Sequence, residues 1–132
     1  MSVFVDTSFL VALLDEDDAR AGEAAKAWRR LATLRTPVLT SNYVVLESCA
    51  VAQRRLGLPA VRRLVRQLLA PVTVEWITRS DHEAALEALL LAGRRGLSMV
   101  DCTSFELMRR LDVDECLAFD DHFAEQGFRA PA

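Results

Sequence analysis

Four acidic residues, Asp6, Glu47, Asp101 and Asp120, stand where a carboxylate is costly unless its charge is compensated. Asp6 directly follows the apolar run Val3-Phe4-Val5, and Asp120 follows a second apolar segment. Glu47 and Asp101 lie in segments with helical character and apolar neighbours. A shared divalent cation would compensate the four charges. Oxygen ligands suit Mg²⁺ or Mn²⁺, which also bind substrate phosphates, so the residues indicate hydrolysis of a phosphodiester bond by a metal-activated water.

Each acid also has an ordinary structural interpretation. Asp6 could cap the helix that follows it, and Asp101 could interact with the dipole of its own helix. Glu47 could be a helix surface residue, and Asp120 could begin a turn. A cap at Asp6 would not explain the matching acid after a later strand, and the apolar neighbours of Glu47 leave little room for a solvent-facing stripe. We therefore favour the shared site.

Other polar and aromatic residues are assigned structural roles. Asp121 is interpreted as a solvated aspartate at a helix start, and His122, a conceivable proton shuttle beside Asp120, as a solvated or packed residue. Trp28 and Trp76 are expected to pack in the core or at an interface instead of stacking on bases. None of these residues joins the predicted site.

The elements that position the acids follow from the apolar pattern. Short apolar or alternating runs predict strands. These strands are Val3–Val5, Val38–Thr40, Val72–Ile77 and Glu115–Phe119, with a short edge strand in the tail at 127–129. Helical spacing predicts the segments between them. These helices are Phe9–Leu14 opened by Thr7 and Ser8, Ala19–Ala32, one capped by Ser41 or Asn42 that carries Glu47, one reaching Leu91, and Ser98–Leu111 with Asp101.

Turn and cap residues mark the predicted helix ends. Gly57 followed by Pro59 predicts a tight corner between two helices. The run Ser80-Asp81-His82-Glu83 has the spacing of a capping box for the helix that reaches Leu91, and Gly96 is expected to end that segment.

Strands separated by helices predict an α/β protein: a three-layer α/β/α sandwich around a central, mostly parallel sheet of four or five strands. In such sheets ligands bind beyond the carboxyl ends of the strands. Asp6 and Asp120 both follow strands of the predicted sheet. We therefore expect the two carboxylates to point into one crevice.

Length and composition limit the class of protein. A chain of 132 residues with 52% hydrophobic content predicts a single domain over residues 1–132, and the 27% charged fraction shows no low-complexity tract. The longest apolar runs fall far short of the roughly 20 residues of a membrane span. The amino-terminal residues lack the features of a secretory leader, so we expect a cytoplasmic protein.

Cysteines and arginines narrow the chemistry further. Cys49, Cys102 and Cys116 are widely spaced in apolar surroundings without a C-x-x-C pair, which predicts buried, reduced thiols and no structural zinc site. The net charge of -3 argues against an overall basic surface, but several arginines gather around one helix-turn-helix and are candidates to contact phosphate. They are Arg54, Arg55, Arg62, Arg63 and Arg66.

These residues, in this order, resemble a family: Val3-Phe4-Val5-Asp6-Thr7-Ser8, then Glu47, then Val100-Asp101, then Phe119-Asp120-Asp121-His122-Phe123. The chain resembles PIN domains, specifically the VapC-like toxins of toxin-antitoxin systems. The resemblance implies that Asp6, Glu47, Asp101 and Asp120 bind Mg²⁺ or Mn²⁺, with Ser8 supporting the first acidic loop. The sequence departs from the pattern at Ala118, where many relatives carry a threonine.

The resemblance also implies an activity and partners. It implies cleavage of single-stranded RNA, a cognate VapB-like antitoxin that lies in an apolar groove and across the acidic site, and a homodimer. Alternatives are a PIN nuclease that processes RNA without an antitoxin, and a non-catalytic RNA-binding or interaction module of the same fold. A phosphoaspartate enzyme is disfavoured, since its usual second acid is Ser8 here.

Overall fold

A computed structural model describes residues 1–132 and contains one parallel sheet of four short strands. The strands are β1 (Val3–Val5), β2 (Val38–Ser41), β3 (Val72–Glu75) and β4 (Glu115–Leu117). They lie in the order β3-β2-β1-β4, and every neighbouring pair is parallel. The predicted α/β sandwich with a parallel sheet is confirmed.

Helices connect the strands and flank the sheet. They are α1 (Thr7–Leu14), α2 (Ala21–Thr33), α3 (Asn42–Leu56), α4 (Leu58–Arg63) continued by a π-helical turn (Leu64–Leu68), α5 (Arg79–Ala92), α6 (Met99–Arg110) and α7 (His122–Glu125). Helix α1 packs against α2 and α3, and α5 packs against α6. None of these helices is long and apolar enough to cross a membrane.

Burial of β1 explains why its sequence is uniformly apolar. Its residues Val3, Phe4 and Val5 are at most 1% exposed, because β1 has a strand on each side and helices over the sheet faces. They belong to one cluster of 27 buried apolar residues. The Thr40 hydroxyl donates a hydrogen bond of 2.7 Å to the Val5 carbonyl oxygen, which satisfies a buried polar group at the end of β1.

Helix α5 begins earlier than the sequence predicted, and it reaches Leu91 as expected. The capping box is formed by Thr78 and Asp81, not by Ser80 and Glu83, because Thr78 is the last residue with an extended backbone (ψ 163°). Gly93, with φ +58°, ends the helix in a left-handed conformation, so the predicted end at Gly96 is wrong.

Two strands are shorter than predicted, because a side chain accepts the next backbone hydrogen bond. β3 ends at Glu75, and the Ile77 N–H donates to the Asn42 Oδ1 at 2.7 Å instead of to a strand. β4 ends at Leu117, and the Phe119 N–H donates to the Ser8 hydroxyl at 3.0 Å. The predicted tail strand is reduced to one parallel bridge between Glu115 and Arg129.

The smaller sequence predictions have mixed outcomes. Trp28 packs against Phe9, with ring centroids 6.1 Å apart, but Trp76 is 70% exposed and does not lie in the core. Trp76 directly follows the last residue of β3, and the alternative expectation that it packs at an interface stays a prediction. All three cysteines are free thiols; two are buried and Cys49 is half-buried.

Candidate metal centre

Asp6 and Asp120 meet at the point where the connections of the sheet change direction. From β1 the chain proceeds through β2 to β3 on one side, whereas β4 is added on the other side of β1. The helices that follow β1 and β4 therefore diverge and leave a crevice beyond the strand ends. Asp6 follows β1 directly, its N–H donates to the Leu117 carbonyl oxygen at 3.0 Å, and Asp120 lies three residues after Leu117.

Ser8 connects the two acidic loops. Its hydroxyl donates to Asp6 Oδ2 at 2.7 Å and accepts the Phe119 N–H at 3.0 Å. The Ser8 N–H donates to the same Asp6 oxygen at 3.2 Å, so Asp6 also caps α1. The capping interpretation of Asp6 is thus correct as well, and it occupies only one carboxylate oxygen.

Asp101 is presented by the first turn of α6. The Ser98 hydroxyl accepts the Asp101 N–H at 3.0 Å, and Asp101 Oδ2 accepts the Ser98 N–H at 3.1 Å, which is a complete capping box. Asp101 is only 8% exposed. The box therefore fixes the carboxylate orientation and leaves Oδ1 without a protein partner.

The three aspartates form a compact cluster. Oxygen atoms of Asp6, Asp101 and Asp120 lie within 4.8 Å of one another. Burial, together with the negative charges of Asp120 and Asp101, raises the pKa of Asp6 from 3.8 to about 7, although hydrogen bonds from Ser8 oppose the shift. Burial and the charge of Asp101 also raise the pKa of Asp120. Three mutually repelling carboxylates with only oxygen donors fit a hard divalent cation.

Glu47 lines the same pocket as the cluster but is not one of its three close carboxylates. It is half-buried on α3, which packs against α1 through a hydrogen bond of 3.4 Å from the Ser48 hydroxyl to Thr7 Oγ1. The pocket has a volume of about 350 Å³. The four predicted acids thus line one cavity, and oxygen atoms of three of them lie within 4.8 Å of one another.

The pocket lining also contains three charged residues that were not among the predicted site residues: Asp18, Arg20 and Arg55. Asp18 Oδ1 accepts the Arg20 N–H at 2.7 Å, a local turn that precedes α2. The Arg20 guanidinium carbon lies 4.9 Å from the centroid of the Phe119 ring. Only Arg55 was considered from sequence, as part of the central arginine cluster.

Asp121 and His122, which were excluded from the predicted site, do not line the acidic pocket. Asp121 is exposed and precedes α7 without a side-chain cap. The His122 side chain does not line the acidic pocket, and its Nδ1 lies 3.4 Å from Glu125 Oε1. The structural interpretation of both residues agrees with these positions.

The fold and the acidic centre define a class of protein, which comparison with known protein families identifies. The PIN domain family model matches residues 3–129, and the chain belongs to the PIN domain family. Within that family it is a VapC-like ribonuclease, as the residue pattern indicated.

Its curated relatives carry a more specific name. The 23S rRNA-specific endonuclease VapC20 of Mycobacterium tuberculosis, from strains CDC 1551 / Oshkosh and ATCC 25618 / H37Rv, is 39% identical over 127 residues. The match covers 96% of this chain and 95% of the relative. The crystal structure of VapC20, described as a Sarcin-Ricin loop cleaving toxin, aligns with a TM-score of 0.81 over the same share of both chains.

Proposed function

We propose that this chain is a divalent-metal-dependent endoribonuclease and the toxin of a VapBC-type pair. The observation that carries the proposal is the cluster of Asp6, Asp101 and Asp120, whose oxygens lie within 4.8 Å of one another at the carboxyl ends of β1 and β4. No cation of the protein neutralises this cluster by an ion pair. A buried set of carboxylates without such a partner requires a bound ion or protonation.

Each side chain of the centre has a distinct task in this proposal. Asp6, Asp101 and Asp120 hold Mg²⁺ or Mn²⁺, and Glu47, farther from the cluster, completes the site from α3. Ser8 keeps the Asp6 loop and the Asp120 loop in register through its two hydrogen bonds. The ion would supply a water of lowered pKa as nucleophile and compensate the charge that develops on the phosphate.

The substrate that we propose is RNA, and the first candidate is the sarcin-ricin loop of 23S rRNA. This proposal is supported by the 39% identity to VapC20, a 23S rRNA-specific endonuclease described as a Sarcin-Ricin loop cleaving toxin. It is also supported by the open shape of the acidic pocket, which borders an adjacent groove through the shared residues Arg20, Phe119 and Asp120. A phosphodiester chain can cross such a pocket without entering a closed cavity.

The adjacent groove is where we propose that a VapB-like antitoxin binds. It has a volume of about 430 Å³ and is lined mainly by apolar residues of α1, α2, β4 and the carboxyl-terminal tail. A segment lying there would contact Arg20 and Asp120, which also line the acidic pocket, and would obstruct access to the acids.

We also propose a homodimer, a single domain over residues 1–132 and a cytoplasmic location. Apart from the terminal Met1, four large apolar side chains are more than two-thirds exposed and support self-association; they are Leu46, Trp76, Leu90 and Leu91. The single buried cluster supports one domain. Sedimentation velocity of the isolated protein and fractionation of cells that express it test the assembly and the location.

RNA cleavage tests the proposed function directly. The wild-type protein is incubated with a ribosomal RNA pool in Mg²⁺, in Mn²⁺ and in EDTA, beside Asp6→Asn, Asp101→Asn and the exposed control Asp17→Asn. We expect cleavage only with a divalent ion, loss in the first two variants and retention in the control. Cleavage that persists in EDTA, or in both site variants, would refute the proposal. Failure of an intact, folded sample to cleave any RNA would favour the non-catalytic alternative.

A further inference from the structure

We propose that Arg20 and Arg55 bind RNA phosphates next to the phosphate that is cleaved. This inference rests on the proposed ribonuclease function and adds two substrate-binding residues to it. Neither arginine is proposed to bind the metal or to react with the substrate. Both are proposed to hold the RNA backbone across the acidic pocket.

The charge of the pocket creates the need for such residues. Five carboxylates line it, from Asp6, Asp18, Glu47, Asp101 and Asp120. A polyanionic backbone that approaches them is repelled, and a bound divalent ion acts only on the phosphate next to it. Phosphates one nucleotide away must be attracted by other cations. The only cationic side chains that line this pocket are those of Arg20 and Arg55.

The two arginines reach the pocket from different elements. Arg20 immediately precedes α2, whereas Arg55 belongs to the last turn of α3. The acids of the same lining come from the ends of β1 and β4 and from α3 and α6. A strand of RNA crossing the acids would therefore meet guanidinium groups presented by two different elements.

Arg20 is held in place from both its backbone and its side chain. Its N–H is bound by Asp18 Oδ1 at 2.7 Å, and its guanidinium lies over the Phe119 ring at 4.9 Å. Phe119 is itself fixed, because its ring stacks on Phe9 at 5.3 Å and its N–H donates to Ser8. Stacking leaves the N–H edge of a guanidinium free to donate to a phosphate.

Both guanidinium groups are available to a ligand. The one ion pair of Arg20 is with Glu23 at 3.6 Å, between side chains that are 52% and 65% exposed, and such pairs are weak. Arg55 is exposed and forms no ion pair or side-chain hydrogen bond. A position in the last turn of α3 also suits the helix dipole, but that role does not require Arg55 to face the acids.

The salt dependence of RNA binding distinguishes phosphate contacts from a merely structural role. Affinity of the full chain for a fluorescent single-stranded RNA 12-mer is measured by anisotropy, with Ca²⁺ replacing Mg²⁺ to prevent cleavage. The variants are Arg20→Gln, Arg55→Gln, the double variant and the control Arg29→Gln. Arg29 is exposed on α2, has no side-chain partner and does not line the pocket, so this control removes the same charge elsewhere.

Log affinity falls as log salt rises, and each lost phosphate contact should make this negative slope shallower by about 0.7. Loss of both contacts should make it shallower by about 1.4. At 0.15 M salt the same relation gives about fourfold weaker binding for each single variant. Arg20→Lys and Arg55→Lys should restore most of the slope, because they retain the charge. Thermal unfolding confirms that the glutamine variants, which keep the apolar stem, remain folded.

A slope that stays equal to that of Arg29→Gln in either single variant would overturn the proposal that both arginines bind phosphates. Cleavage by the wild type in Mg²⁺ separates this failure from failure of the proposed function. A wild type that cleaves RNA while the slopes are unchanged removes only the inference about the arginines. A wild type that never cleaves RNA removes the ribonuclease proposal itself.

Discussion

Replacement of Asp6 by asparagine should stabilise the metal-free protein at alkaline pH. The pKa of Asp6 rises from 3.8 to about 7 on folding, because the side chain is buried and faces Asp120 and Asp101. A group whose pKa is raised in the folded state contributes stability that is present at low pH and lost as pH rises from 3.8 to about 7. Ionised Asp6 therefore destabilises the folded, metal-free protein, and a bound cation would compensate this charge.

The size of the expected stability change follows from the rise in the pKa of Asp6. About three pKa units correspond to about 4 kcal/mol, and about 3 kcal/mol of that should be lost between pH 5 and pH 8. Asparagine has no charge to bury, and it caps helices about as well as aspartate, so the cap on α1 is retained. Asp6→Asn should therefore lack this part of the pH dependence and exceed the wild type in free energy of unfolding at pH 8.

Urea unfolding in EDTA at pH 5 and pH 8 measures the effect, with Asp17→Asn as the exposed control. Added Mg²⁺ should raise the stability of the wild type at pH 8 and leave Asp6→Asn nearly unchanged, because ligand binding to the native state adds to its stability. Equal pH dependence of the wild type and Asp6→Asn would refute the assigned cause of the raised pKa.

Three further predictions concern residues around the site and the corrected helix start. Ser8→Ala removes the hydrogen bonds that join the two acidic loops, and the rate of RNA cleavage should fall about 10- to 100-fold with a small change in thermal stability. Glu47→Gln should reduce apparent Mg²⁺ affinity in a cleavage titration less than Asp101→Asn does, because Glu47 lies outside the close cluster. Thr78→Ala should lower the free energy of urea unfolding by about 1 kcal/mol, whereas Ser80→Ala should change it by less than about 0.5 kcal/mol; the reverse order would contradict the cap assignment.

The sheet and its acids were predictable because the strongest physical constraint acts locally. β1 is buried on all sides, so its sequence is a continuous apolar run, and the polar residue that ends it marks the edge of the sheet. The same reasoning located Asp120 after β4, although β4 itself is shorter than predicted. The topology then required the two acids to meet, since both strand ends lie at the same edge.

Features that depend on contacts between distant segments were not predictable. Two overlapping runs, one starting at Thr78 and one at Ser80, each have the spacing of a capping box, and the bond from Ile77 N–H to Asn42 accompanies the earlier start. Arg20 stands in a polar turn, and nothing local shows that its guanidinium lies over Phe119. The Asp18-x-Arg20 turn was the only signal available, and such turns are common.

Binding of Mn²⁺ tests the central claim most directly, since the claim is that separate segments of the chain bring carboxylates to one divalent ion. Electron paramagnetic resonance of free Mn²⁺, titrated with protein at pH 8, measures the bound ion without reference to catalysis. The wild type and Asp17→Asn should bind Mn²⁺, and Asp6→Asn, Asp101→Asn and Asp120→Asn should each bind it much more weakly. Unchanged Mn²⁺ binding in all three site variants would contradict the account.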